Sequence, residues 1–358
     1  MKILVSALEH SANVHLKSLK KELGDDVEFM GIFDKTLGNP VVDLRSLAIM
    51  GFVDALKKLR FFFKLADEMT ELAKEADKIL LIDSSGFNLP LAKKIKKRYP
   101  QKEIIYYILP QAWAWKKKRI PVLAKTIDRL CSILPFEPSY YPKDAPIEYV
   151  GHPLLDQITH FKESLNDEVQ NIVFMPGSRK GEITKLMPVF RELVQHLHVK
   201  ATLVIPEHFS QTDIKALYGD ISDFDITHEP HKALYNTDFA FICSGTATLE
   251  AALIGVPFVL SYIAKPLDYF LASRLVKLDY LGLGNIMFSQ YKKEALHPEF
   301  IQKDVTVENL LNAYKEYDRE KFLQNSKSLR SYLKHGSSKR VAEIISSKSV
   351  LSMLKHDL

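Results

Sequence analysis

Short, almost uninterrupted apolar runs separated by stretches of helical spacing constrain this chain more than any other feature. The runs are Ile3–Leu8, Val27–Ile32, Lys78–Asp83, Ile104–Leu109 and Leu130–Leu134, with a shorter one at Glu148–Val150. Between them apolar residues recur at i, i+3, i+4, as in Phe52, Leu56, Leu59 and Phe63. A strand apolar on both faces must be covered on both, and alternating helices do this, so the pattern predicts a parallel sheet. After Gly151-His152-Pro153 it pauses through a polar stretch around Lys162–Glu168. It resumes with Ile172–Met175, Thr202–Ile205, Phe239–Cys243 and Pro257–Leu260. This predicts an α/β chain of two doubly wound, Rossmann-like domains, over residues 1–165 and 166–358. Such domains bind ligands at the carboxyl ends of their strands, here across a cleft between the two. The tail from Val307 reads as helical, rich in Lys, Ser and Leu, and able to pack back on the first domain.

Composition removes several classes of function. A length of 358 residues suits two domains, and 46% hydrophobic with 26% charged residues excludes a disordered chain. The two cysteines, Cys131 and Cys243, lie far apart inside apolar runs, which excludes a disulfide framework and a Cys-rich zinc site. His196 and His198 form an H-x-H pair without a third ligand at a recognisable spacing, so no metal is expected. The opening apolar run breaks at Glu9, too soon for a signal peptide, and no uncharged run reaches the roughly 18 residues of a membrane span. A cytoplasmic protein is expected. The 49 basic and 44 acidic residues leave a net charge of +5, too mild for a nucleic-acid partner. Basic residues do cluster at Lys57-Lys58-Leu59-Arg60, Lys93-Lys94-Ile95-Lys96-Lys97-Arg98 and Lys116-Lys117-Lys118-Arg119. Each alone reads as a solvated helix face; together in the first third of the chain they favour an anionic surface or ligand.

In this architecture chemistry stands just after strands, and four strand ends are unusual. Pro176-Gly177-Ser178-Arg179 precedes a helix, so Gly177 and Ser178 offer backbone N–H groups at a positive dipole end and Arg179 adds a planar fork, a combination suited to phosphate. Ser244-Gly245-Thr246-Ala247-Thr248-Leu249-Glu250 repeats the device, with Glu250 placed to accept from a ribose or sugar hydroxyl; Thr246 could instead be a plain N-cap. Two such turns in one domain point to a nucleotide diphosphate. Ile82-Asp83-Ser84-Ser85-Gly86-Phe87-Asn88 ends an apolar strand in a carboxylate placed as a general base, unless Asp83 merely caps a helix beginning near Asn88 or orients a loop. Pro110-Gln111-Ala112-Trp113-Ala114-Trp115 holds both tryptophans of the chain beside a basic run, which suits a phosphorylated amphiphile or sugar ring as well as core packing. Neither G-x-x-x-x-G-K-[ST] nor G-x-G-x-x-G occurs, so ATPase and dinucleotide readings lack their fingerprints.

With these residues in view the chain resembles the lipid-A-disaccharide synthases, inverting glycosyltransferases of GT-B fold. The matches run in order: Leu47-Ala48-Ile49-Met50-Gly51, Ile82-Asp83 with Phe87-Asn88, Trp113-Ala114-Trp115, Leu134-Pro135-Phe136-Glu137, Gly151-His152-Pro153, Pro176-Gly177-Ser178-Arg179, Ser244-Gly245-Thr246 with Leu249-Glu250, and Leu275-Val276-Lys277 with Asp279-Tyr280. The resemblance implies transfer of a diacylated glucosamine from UDP to diacylglucosamine 1-phosphate, without metal or cofactor, giving a β(1→6) disaccharide. It places UDP on the second domain and the acceptor on the first; Asn285, after the Gly282-Leu283-Gly284 turn, is a further candidate nucleotide contact by its position. Asp83 would be the base and Glu9 the reserve carboxylate, with Ser11, Asn13, Asn88, Trp113 and Trp115 around the acceptor. One departure stands out. Family members usually carry G-E-x-S-G-D after the first strand, where this chain reads Leu8-Glu9-His10-Ser11-Ala12-Asn13. A UDP-N-acetylglucosamine 2-epimerase and a non-catalytic lipid-binding relative are the rival readings.

The acylated substrates that the resemblance implies lead us to expect the protein at a membrane surface, on the inner face of the inner membrane, and a homodimer is left open. On a helix Phe52, Leu56, Leu59 and Phe63 share one side, ringed by Lys57, Lys58, Arg60 and Lys64, which attract anionic lipid. Phe61, Phe62 and Phe63 cannot all enter one core, because consecutive residues turn by about 100°. Phe52, Leu56, Phe61, Phe62 and Phe63 are therefore the expected membrane contacts, with burial of that apolar side in the domain core as the alternative.

Overall fold

Ten strands of the computed structural model coincide with the ten apolar runs, and every paired strand runs parallel to its neighbour. The structure describes residues 1–43, 55–265 and 279–347. It divides into two units, Met1–Asp156 with Lys334–Leu358, and Gln157–Leu333. The first holds β1 (Lys2–Ser6), β2 (Glu28–Phe33), β3 (Val42–Asp43), β4 (Lys78–Ile82), β5 (Ile104–Tyr107), β6 (Arg129–Ser132) and β7 (Ile147–Tyr149), in the spatial order β3-β2-β1-β4-β5-β6-β7. The second holds β8 (Asn171–Met175), β9 (Lys200–Val204), β10 (Asp225–Thr227), β11 (Phe239–Cys243), β12 (Phe258–Tyr262) and β13 (Glu299–Ile301), in the order β10-β9-β8-β11-β12-β13. Both sheets grow outward from their first strand in one direction and then restart on its other side. The reversal falls between β1 and β4 in the first unit and between β8 and β11 in the second. In folds of this kind such a reversal is where loops part and ligands bind at the carboxyl ends of the strands.

The three strands that the apolar runs did not announce, β3, β10 and β13, are all sheet edges whose residues are half-buried or exposed. An edge strand is covered less completely, so its sequence carries no continuous apolar run. The central strands are the opposite. All five residues of β4 and of β11 are buried, and Phe174 stacks on Phe241 across the β8–β11 pair with ring centroids 5.3 Å apart.

The helix Ser337–Ser346 buries Val341, Ile344 and Ile345 in the core of the first unit, beside Ile3, Val5 and Leu80. Its N-terminus is held by Asp156, whose carboxylate accepts from the backbone N–H of Gly336 (2.7 Å) and Ser338 (3.2 Å). Gly151, at φ +92°, makes this docking fit: a Cβ there would lie 3.1 Å from the carbonyl oxygens of Lys334 and His335. The polar stretch after Asp156 packs within the second unit, where the Lys162 N–H donates to the Ile254 carbonyl at 2.7 Å.

Candidate active site

Three of the four strand ends singled out in the sequence fall on the two reversal points, and the tryptophan motif follows β5 instead. In the first unit Glu9 follows β1 and Asp83 follows β4. Asp83 and Ser84 both take left-handed backbone, at φ 51° and 42°, before the helix Ser85–Arg98 begins. Two consecutive non-glycine residues in that region are strained by about 1–3 kcal/mol each and persist only where neighbours hold them. The Asp83 carbonyl accepts from Tyr106 Oη (2.6 Å) and Asn88 Nδ2 (2.9 Å), and the same amide also donates to the Ile82 carbonyl (3.1 Å). Asn88 Oδ1 accepts from Ser6 Oγ of β1 at 2.6 Å, so one amide ties both strands of the reversal point to the corner.

This corner brings the two carboxylates together. Ser84 Oγ donates to Glu9 Oε1 at 3.1 Å. Burial raises the Asp83 carboxyl above its ordinary value and the Glu9 charge raises it further, against the Ser84 backbone N–H, which lowers it. A raised carboxylate is a stronger base, which is what proton removal from a hydroxyl needs. The alternative of Asp83 as a helix cap is not what forms: the N-cap residue is Ser84, without a side-chain cap bond, and the helix starts at Ser85. Arg119 Nη1 donates to Ser85 Oγ at 3.0 Å, bringing the basic run to the same corner.

Three asparagines expected to meet ligand turn inward instead. Asn88 is 0% exposed and spends both donors and its acceptor on the corner. Asn13, also buried, donates to the carbonyls of Ala7 and Glu9 at 2.8 Å each and accepts from the Asp34 N–H at 2.7 Å. An aspartate could accept that last bond but could not donate the other two, so the departure from the family turn suits a loop held by an amide. Asn285 is buried with its amide on the His297 carbonyl (2.9 Å) and Glu299 Oε1 (2.8 Å), and its oxygen on the N–H groups of Leu296 and His297. Each of these side chains therefore braces a loop. Ser11, by contrast, is exposed in the first turn of the helix His10–Leu23.

Trp113 is 5% exposed and packs edge-on against Phe136 (centroids 4.9 Å) and beside Tyr140 (5.9 Å), so the Leu134–Glu137 motif and the tryptophan motif form one aromatic cluster. The packing alternative describes Trp113; the Trp115 side chain lies outside the described residues. Within the cluster burial pushes the Glu137 carboxyl up to about 7, against a hydrogen bond from Ser132. On the helix Ala55–Leu72, Phe61 and Phe62 are half-buried against the core, with Phe62 5.8 Å from Phe87. Phe63 is 57% exposed, with Lys94 Nζ 6.0 Å from its ring. The expected contact thus narrows to Phe63, because the helix turns its two neighbours inward; Phe52 and the Leu56 side chain lie outside the described residues.

In the second unit the two turns sit on adjacent strands, Gly177-Ser178-Arg179 after β8 and Ser244-Gly245-Thr246 after β11. Ser178, Arg179, Gly245 and Thr246 are exposed. The helix Thr246–Ile254 has Gly245 as its N-cap residue, with no side-chain cap bond, so Thr246 is its first residue and not its cap. Its first N–H groups are the kind of donors that a phosphate takes. Glu250 is half-buried, its carboxyl raised by burial and drawn back by His231, whose Nδ1 lies 4.0 Å from it. Among the described residues no three His, Cys, Asp or Glu side chains gather as they would around a metal ion. Sequence reasoning passed over Tyr106 and Glu182, and it met Ser84 and Arg119 only as members of their motifs. Tyr106 is hidden inside an apolar strand, whereas Glu182, three residues after Arg179, carries a capping-box spacing that could have been read.

Two parallel α/β units with paired turns at their reversal points define the GT-B class of glycosyltransferases and sugar-nucleotide epimerases. Solved structures share this fold at low identity. MurG of Acinetobacter baumannii matches with a TM-score of 0.58 at 15% identity, covering 96% of this chain and 98% of that one. The UDP-GlcNAc 2-epimerase of Methanocaldococcus jannaschii, in complex with UDP-GlcNAc and UDP, matches with 0.58 at 13%, covering 96% and 99%. Sequence goes further than fold. The chain belongs to the lipid-A-disaccharide synthetase family, whose model matches residues 3–351. The lipid-A-disaccharide synthase of Helicobacter pylori is 52% identical over 355 residues, spanning 95% of this chain and 96% of the relative. That of Campylobacter jejuni is 45% identical over 363 residues, spanning 96% and 98%.

The clamp at the corner is open to test. Asn88→Ala removes three hydrogen bonds and strands buried partners, so it should cost about 1–3 kcal/mol in denaturant unfolding. It should also lower kcat more than it raises KM, since the corner moves rather than a binding contact. Wild-type stability and kcat in this variant would contradict the clamp.

Proposed function

We propose that the protein transfers 2,3-diacylglucosamine from UDP to the 6-hydroxyl of 2,3-diacylglucosamine 1-phosphate, forming the β(1→6) disaccharide 1-phosphate and UDP. The observation that carries the reading is the pairing of Asp83 with Glu9 at one reversal point, in a chain that belongs to this family. Asp83 takes the hydroxyl proton while that oxygen attacks the anomeric carbon from the face opposite UDP. The bond from the anomeric carbon to the diphosphate oxygen breaks, and configuration inverts. Burial keeps Asp83 basic, and the charge of Glu9, whose carboxylate accepts from the Ser84 hydroxyl, adds to it. The departing UDP carries negative charge that is best met by donors already aimed at it. The backbone N–H groups at Gly177-Ser178 and Gly245-Thr246, with the Arg179 guanidinium, supply them.

UDP should be released only when both acylated sugars are present, and neither alone should yield it. UDP-N-acetylglucosamine alone should pass through unchanged. A second sugar nucleotide formed from that single substrate would instead make this an epimerase, the activity that the fold also hosts.

The acyl chains of both substrates favour work at an anionic membrane surface, on its cytoplasmic side. Among the described residues no helix is long and apolar enough to cross a membrane. Exposed Phe63, set among Arg60, Lys64 and the basic residues of the helix Ser85–Arg98, offers an apolar contact within a positive field. Wild type should float with anionic liposomes, and a Phe63→Ser variant with an unchanged melting curve should float to roughly half that extent or less. Equal flotation of the two would remove this helix from the contact.

A further inference from the structure

The phosphate turn after β8 already holds an anion of its own. Glu182, in the first turn of the helix Lys180–Val194, reaches back so that Oε1 accepts from Arg179 Nη1 at 2.9 Å and Oε2 faces the Arg179 backbone N–H at 3.4 Å. The same oxygen lies against Gly177, which sits at φ +103°: a Cβ there would be 2.7 Å from Glu182 Oε2 and 3.2 Å from Cys243 Sγ. The side chain of Glu182 is only 11% exposed, whereas that of Arg179 is 81% exposed. A glycine in such a turn leaves a hollow where an anionic oxygen can approach the backbone, next to helix N–H groups. In this chain the oxygen in that hollow belongs to a carboxylate three residues along the same segment.

A diphosphate and a carboxylate want the same partners there, the arginine fork and the first N–H groups of the helix. Two anions within a few ångströms disfavour each other's charge, so they do not share the hollow. We infer that Glu182 is an internal competitor for the diphosphate: it occupies the turn and the Arg179 guanidinium, and nucleotide enters by displacing it. The inference rests on the reading of this turn as a diphosphate site. It gives that site a means of holding UDP loosely, because the carboxylate replaces the product as it leaves. Glu182 acts through Arg179 and the turn and is a positioning residue.

Calorimetry with UDP and with uridine separates this role from a merely structural one. Glu182→Gln keeps an amide oxygen for the Arg179 N–H but removes the charge. It should tighten UDP by about threefold to fivefold, the scale of a partly exposed ion pair, and leave uridine unchanged. The gain should vanish when Arg179→Ala is added. A gain below about twofold, a loss of UDP affinity, or an equal gain for uridine would overturn the inference, because Glu182 would then only hold the turn in shape. If the Gln variant melts early, Glu182→Asp, which draws the charge back from the guanidinium, should tighten UDP in the same direction, and weaker binding would overturn the inference equally. Failure of wild type to bind UDP at all would instead remove the diphosphate reading beneath it.

Discussion

A strand that ends in two consecutive left-handed residues stays that way only if something holds both sides of the corner. Here the hold is the Asn88 side chain, which donates to the carbonyls of Ile82 and Asp83 while accepting from Ser6 on the neighbouring strand. Tyr106 supplies a second donor to the Asp83 carbonyl from the strand on the other side. Three adjacent strands, β1, β4 and β5, therefore converge on one backbone unit. The strain of Asp83 and Ser84 is balanced by hydrogen bonds that cannot form if the chain relaxes, and this fixes where the Asp83 carboxyl lies relative to Glu9. The chemistry proposed for the first unit depends on that geometry.

The second unit solves a different problem with the same architecture. Its reversal point leaves Ser178, Arg179, Gly245 and Thr246 exposed, while the strands beneath are packed with phenylalanine. Donors for a diphosphate have to be accessible and need little more than a glycine turn and a helix start. A base has to be partly withdrawn from water to be raised, and so needs braces. The half-burial of Asp83 and the exposure of the two glycine turns suit the roles proposed for them.

How far this could be read from the chain depends on what burial writes into a sequence. The central strands were legible because they are covered on both faces; β3, β10 and β13 were not, because edges are covered less. Asp83, Glu9 and Arg179 stood out as charges at the ends of apolar runs. The direction in which a side chain points was not legible. Asn13, Asn88 and Asn285 read as polar groups near a ligand, yet each spends its hydrogen bonds inside the fold. Trp113 read equally as a platform or as core packing, and it packs edge-on against Phe136 and beside Tyr140. An amide that braces a loop and one that meets a substrate have the same composition and the same spacing, and only the bonds they make tell them apart.

The central claim is that the raised carboxyl at the strained corner removes the proton from the acceptor. The most direct measurement is the single-turnover rate of Asp83→Asn with both acylated substrates, at saturating concentrations and with the melting curve unchanged. Asparagine keeps the size of the side chain and removes its basicity. If Asp83 is the base, the rate falls by a factor on the order of 10² to 10⁴. A rate within about threefold of wild type would contradict it and pass the role to Glu9, the other carboxylate at that reversal point.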